Sequence, residues 1–122
     1  MDEQIYKEFI LDLYRHPLNK KVLADFDIEH KGTNYSCGDD IKIYLKFNEN
    51  GEVADIGFQG QGCAISQAAA SLLTEDIKGK TKKYLMNLKP DDILKLFGVD
   101  IIYSRKNCAL LALNTLQEAL NK

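Results

Sequence analysis

The spacing of apolar residues divides the chain into helical and extended stretches in a definite order. Over residues 3–15, Ile5, Phe9 and Leu13, flanked by Tyr6 and Ile10, recur at helical spacing, with Asp2 and Glu3 at the positive end of the helix dipole. His16-Pro17 ends this helix, because the residue before proline is pushed out of the α region. Leu18-Asn19-Lys20 follows as a connector, and residues 25–30 are weakly extended. Ile41, Ile43, Leu45 and Phe47 then alternate with Lys42, Tyr44 and Lys46, the period of a half-buried strand. Asn48-Glu49-Asn50-Gly51 is a turn whose Asn-Gly step suits positive φ. Residues 53–59 return with Ile56 and Phe58 on one face, so the two runs form an antiparallel hairpin.

The second half is helical. Residues 64–78 put Ile65, Ala69, Leu72, Leu73 and Ile77 toward a core, with Gly79 as a left-handed cap. Residues 81–88 predict a short helix. Pro90-Asp91-Asp92 opens another, with proline in the first turn and carboxylates at the positive dipole end, and it runs through Leu94 and Phe97 to Gly98. Residues 99–104 link to a last helix over 106–120, with Ala109, Ala112, Leu113, Leu116 and Leu120 as its buried stripe.

At 122 residues the chain is expected to form one domain, 1–122, with a real core. The 45% hydrophobic and 28% charged content is that of an ordinary globular protein. A net charge of −2 gives no electrostatic reason for nucleic acid or an anionic membrane as partner. No apolar run approaches the roughly 20 residues of a spanning helix. The acidic, polar start argues against a signal peptide, so the cytoplasm is the expected location.

The three cysteines change the picture most. An odd number rules out a complete internal disulfide framework, and none lies in a Cys-x-x-Cys pair. Cys63, in Gly60-Gln61-Gly62-Cys63-Ala64-Ile65-Ser66, follows a strand and opens a helix, a position that stabilises negative charge on sulfur. The two glycines let the backbone turn sharply and keep bulk from the sulfur. Cys37 and Asp39 flank Gly38, and the loops bearing Cys37 and Cys63 lie at the same open end of the hairpin. Cys37, Asp39, Cys63 and Cys108 would supply one complete tetrahedral shell for zinc or iron.

Other readings stand beside that one. Cys108 shares a face with Ala112 and Leu116 and suits a small buried hydrophobe. Cys37-Gly38-Asp39-Asp40 suits an ordinary turn. Arg105 is either a cationic neighbour of the Cys108 thiol or a ligand carboxylate, or a surface arginine. His16 and His30 suit surface or capping roles. The lysines at 78, 80, 82 and 83 form a solvated face, with a docking patch as the lesser reading.

Four motifs in order resemble the NifU/IscU/SufU family of iron–sulfur cluster assembly proteins. They are Ile5-Tyr6 with Ile10, Asp12, Tyr14, Pro17 and Asn19; Cys37-Gly38-Asp39; Gly60-x-Gly62-Cys63-x-Ile65-Ser66; and Arg105-x-x-Cys108-Ala109-x-Leu111. The resemblance covers nearly the whole chain. Arg105, three residues before the third cysteine, matches the SufU branch. IscU-type members have a histidine immediately before that cysteine, where this chain has Asn107. The interval from Cys63 to Cys108 leaves little room for the insertion usual in SufU-type proteins.

The resemblance implies an α+β fold, a three-stranded antiparallel sheet with helices packed on one face. It implies zinc or an iron–sulfur cluster on Cys37, Asp39, Cys63 and Cys108, with Arg105 in support. It implies a SufS-like cysteine desulfurase as sulfur donor, apo iron–sulfur proteins as recipients, and Cys37 as sulfur acceptor. A scaffold for cluster assembly and a zinc-dependent sulfurtransferase both follow from this ligand set, so whether the chain is a carrier or a catalyst stays open. A third reading is a family member that only binds a partner.

Overall fold

The computed structural model describes residues 3–34, 38–98, 101 and 105–121, with side chains from residue 8 onward. Its elements are α1 (Glu3–Arg15), β1 (Ile28–Asn34), β2 (Asp39–Phe47), β3 (Val53–Gln61), α2 (Ala64–Asp76), α3 (Lys82–Asn87), α4 (Pro90–Leu96) and α5 (Lys106–Leu120). The strands form an antiparallel sheet in the order β1-β2-β3. Register places Ile28 and Ile56 on either side of Leu45, and His30 and Phe58 on either side of Ile43.

This face carries the core. Ile41, Ile43, Leu45, Ile56 and Phe58 are buried against α2 and α5, where Ala68, Ala69, Ala70, Leu73, Ala109, Ala112, Leu113 and Leu116 are also buried. The small side chains at 68–70, 109 and 112 let the two helices approach each other and the sheet closely. On the opposite face Tyr44 is covered by Phe26, edge to face at 5.5 Å, and its hydroxyl donates to Gln59 at 2.8 Å.

The connector after α1 ties layers together. Leu18 N–H donates to Ser71 Oγ at 3.1 Å, Asn19 Nδ2 to Thr74 Oγ1 at 3.0 Å, and Lys20 Nζ to Gln67 Oε1 at 2.8 Å. Asn19 adopts φ +66°, which turns its carbonyl to accept from Phe58 N–H at 3.0 Å along the β3 edge. These bonds explain why α2 buries Gln67, Ser71 and Thr74 without stranding them.

Several expectations shift. The weak extended segment at 25–30 is displaced: β1 occupies 28–34, and its polar half, Lys31 to Asn34, is strand because it is the sheet edge, with only alternate residues half-buried. His30 therefore lies in a strand and not in a connector; its Nε2 is 3.2 Å from Glu118 Oε2 on α5. Among the described side chains of α1, Ile10 and Leu13 are buried, whereas Phe9 is 37% exposed. α2 ends at Asp76, because Gly79, at φ +77°, donates its N–H to Val53 O and not to the helix. On α4 Ile93 and Phe97 are buried and Leu94 is half-buried. The link over 99–104 lies largely outside the described residues.

Gly32 faces α5 from β1. An added Cβ there meets Thr115 Oγ1, with Thr115 Cβ at 3.0 Å, while that hydroxyl donates to Leu111 O at 2.8 Å. Gly32→Ala is expected to cost about 1–3 kcal/mol by overpacking. Urea denaturation of both proteins checks this; equal midpoints would mean that α5 shifts away at no cost.

Candidate metal centre

The β2–β3 ladder closes with Asp40 opposite Gln61, so the start of β2 and the end of β3 meet at one corner of the sheet. Gly60 takes φ +133° there, and a Cβ on it would strike Asp40 O and come within 2.8 Å of Ile41 Cα. The chain then turns through Gly62 to Cys63, the N-cap of α2, whose φ −69° and ψ 167° are extended. Ser66 Oγ donates to Cys63 O at 3.0 Å and fixes that peptide to the first turn.

Three sequence-predicted ligands come together. The ligand atoms of Asp39, Cys63 and Cys108 lie within 4.8 Å of one another, the one such group of three among the described residues. Each comes from a different element: Asp39 from β2, Cys63 from the α2 N-cap, Cys108 from the first turn of α5. Two helix N-termini therefore converge on the site, and each carries partial positive charge from its free N–H groups. Such a corner favours anionic ligands. Cys108 is fully buried, as a small hydrophobe would be, and its sulfur belongs to this group.

Asp39 is the least expected of the three as a buried residue, at 2% exposure. Its Oδ1 accepts from Cys63 N–H at 3.2 Å, while Oδ2 is buried and has no hydrogen-bond partner among the described residues. An ordinary turn aspartate would point to water, so the turn reading does not describe it. An unsatisfied buried carboxylate oxygen beside two thiols is the arrangement a cation would complete.

Arg105 is the N-cap of α5 and is exposed. Cys37 lies outside the described residues. Sequence reasoning assigned the glycines before Cys63 to clearance around sulfur; the structure gives Gly62 another task. A Cβ at 62 would lie 2.7 Å from Asp39 Cγ and Oδ1 and 2.5 Å from Ser66 Oγ, so its bareness makes room for the carboxylate. The signal was present in Gly60-x-Gly62-Cys63, but it gives no hint of which distant side chain fills the space.

The sheet, its helical layer and this cysteine–carboxylate corner define a class that the comparisons identify. The family model described as the NifU-like N-terminal domain matches residues 5–122, and the chain belongs to that family. It is 38% identical over 136 positions to the iron–sulfur cluster assembly scaffold protein IscU of Thermotoga maritima, covering 98% of this chain and 95% of that protein. It is 34% identical over 137 positions to the zinc-dependent sulfurtransferase SufU of Bacillus subtilis, covering 98% and 92%. Both alignments are longer than the 122 residues of this chain, so both relatives carry residues that it lacks. The crystal structure of FiSufU from Fervidobacterium islandicum AW-1 superimposes with a TM-score of 0.78 at 30% identity, over 98% of this chain and 99% of that one. The N-terminal part of a NifU-like protein from Brucella abortus shares the fold, with a TM-score of 0.77 at 24% identity, over 98% and 94%. Among the described residues no helix is long and apolar enough to cross a membrane.

The two described thiols differ in access, Cys63 being half-buried and Cys108 fully buried. In the metal-free, folded protein iodoacetamide is expected to label Cys63 well before Cys108, which reacts only through local opening. Peptide mapping by mass spectrometry reads the order; equal rates would contradict the packing of α5.

Proposed function

We propose that this chain is an iron–sulfur cluster assembly scaffold, receiving sulfur from a SufS-like cysteine desulfurase and holding iron or the growing cluster on Cys37, Asp39, Cys63 and Cys108. The observation that supports it most is the meeting of Asp39, Cys63 and Cys108 from three separate elements within 4.8 Å. Iron and cluster are cargo in this reading. The residues suit cargo that must leave again: two helix N-termini favour the anionic ligands, and a carboxylate among thiolates is a harder, more exchangeable ligand than a further cysteine. Apo iron–sulfur proteins are the recipients, and the setting is cytoplasmic.

Cys37 is the sulfur acceptor in this proposal. Its thiolate attacks the outer sulfur of a persulfide on the desulfurase, a new S–S bond forms at Cys37, the donor's S–S bond breaks, and the donor cysteine leaves as thiolate. Asp39 cannot do this chemistry; it contributes an oxygen ligand and charge.

A second reading, zinc-dependent sulfur relay, is favoured by the Bacillus relative and by the unpartnered Asp39 Oδ2, which suits a closed tetrahedral site. Asp39, Cys63 and Cys108 would hold zinc with Cys37. Zinc, when bound, would keep the thiols deprotonated and oriented. Arg105, at the α5 N-cap three residues before Cys108, would act as a supporting cation.

Elemental analysis of anaerobically purified protein separates the readings. Iron with matching acid-labile sulfide is expected for the scaffold, and one tightly held zinc without sulfide for the relay. A chain empty of all three would contradict both. Asp39→Ala is expected to weaken metal retention by more than about tenfold, since loss even of outer-shell partners costs 10- to 100-fold. Desulfurase turnover is the second test: a large stimulation by this protein that Cys37→Ala abolishes favours the relay, and turnover unmoved by the protein contradicts it.

A further inference from the structure

We infer that the two oxygens of Asp39 have separate jobs, Oδ1 holding the side chain in place and Oδ2 serving as its single metal-facing atom, and that Gly62 with the Cys63 backbone N–H imposes this division. The inference rests on the metal-binding reading above and adds two positioning groups to it.

The geometry is specific on each side of the carboxylate. Oδ1 is engaged by Cys63 N–H at 3.2 Å. Cys63 is the N-cap of α2, so this N–H stands ahead of the helical hydrogen-bond ladder and is available to a side chain. The Cys63 peptide cannot swing freely, because its carbonyl accepts both Ser66 Oγ at 3.0 Å and Gln67 N–H at 3.1 Å. Asp39 itself is fixed by β2, opposite Asn34 of β1. Oδ2 is buried and has no partner among the described residues.

Gly62 completes the clamp. The carboxylate occupies the space a side chain at 62 would take, with Asp39 Oδ1 and Cγ both 2.7 Å from an added Cβ. Neither neighbour can give way easily, since Asp39 is on a buried strand end and Ser66 is hydrogen-bonded. A methyl group at 62 would therefore expel the carboxylate from the Cys63 N–H.

Two consequences follow for ligand chemistry. With Oδ1 engaged, Asp39 offers one oxygen and not a bidentate pair, which suits a four-coordinate, sulfur-rich site and disfavours the six to eight oxygens of calcium. Cys63 also binds twice over, its sulfur toward the metal and its N–H toward the neighbouring ligand, so Asp39 placement and Cys63 placement are coupled.

The test uses the full chain as wild type, Asp39→Asn, Asp39→Ala, Gly62→Ala and the Gly62→Ala/Asp39→Ala double variant. Two readouts are taken: the amide proton shift of Cys63 by NMR, and zinc affinity by chelator competition. Asp39→Asn keeps a carbonyl oxygen for the Cys63 N–H but replaces the other oxygen with NH2. It should hold the Cys63 shift near wild type while weakening zinc by more than about tenfold. Asp39→Ala and Gly62→Ala should both move the Cys63 amide upfield and weaken zinc by a similar factor, and the double variant should be no weaker than Asp39→Ala alone.

The inference is overturned if Gly62→Ala leaves the amide shift and zinc affinity within twofold of wild type, or if Asp39→Asn binds zinc like wild type. A wild-type chain that binds no zinc would instead count against the metal-binding reading, and the amide shifts of the metal-free proteins would still decide the clamp. Should Gly62→Ala fail to fold, the contrast between Asp39→Asn and Asp39→Ala decides it.

Discussion

The pairing of Asp40 with Gln61 at the open end of the β2–β3 hairpin is the constraint on which the rest depends. It delivers the first residue of β2 and the last of β3 to one corner, so Asp39 and Cys63 become neighbours without any local sequence relationship. A one-residue slip of this register would turn Ile41, Ile43 and Leu45 away from α2 and α5. The apolar core that sets the register thus also sets the site. Gly60 and Gly62 allow the two backbones and the carboxylate to come as close as they do.

The site is placed where the fold can bear it. A buried carboxylate is costly unless its charge is met, and here the Cys63 N–H and the positive ends of α2 and α5 meet part of it. The part left over is Oδ2. That residual need, beside the sulfurs of Cys63 and Cys108, is a physical reason for the corner to take up a cation. The hydrophobic layer behind it, Ile41, Ala68, Ala109 and Ala112, is rigid and closely packed, so the three ligands are held on a strand, a helix cap and a helix turn and not on mobile side chains.

Much of this was legible in the sequence. The α5 boundaries, the alternation in β2 and the Asn-Gly turn follow from periodicity and turn chemistry. Of the cysteine–carboxylate set that residue type singles out, Asp39, Cys63 and Cys108 have their ligand atoms within 4.8 Å of one another, while Cys37 lies outside the described residues. What was not legible has physical causes. The strand at Lys31 to Asn34 is polar because an edge strand buries only one row of residues. The polar stripe of α2, Gln67, Ser71 and Thr74, does not fit an apolar helix face, because its partner is the backbone and polar side chains of the connector. Gly62 was read as clearance for sulfur because sequence shows that a side chain is missing but not what stands in its place.

The chain belongs to the family of the NifU-like N-terminal domain, and in the proposed function its corner holds metal and sulfur and lets them go. The most direct test of that account is X-ray absorption at the zinc edge on the full chain loaded with one zinc. The account predicts a shell rich in sulfur at about 2.3 Å with one oxygen at about 2.0–2.2 Å, losing sulfur in Cys63→Ser and in Cys108→Ser. A shell of oxygen and nitrogen alone, or one that neither substitution alters, would contradict it.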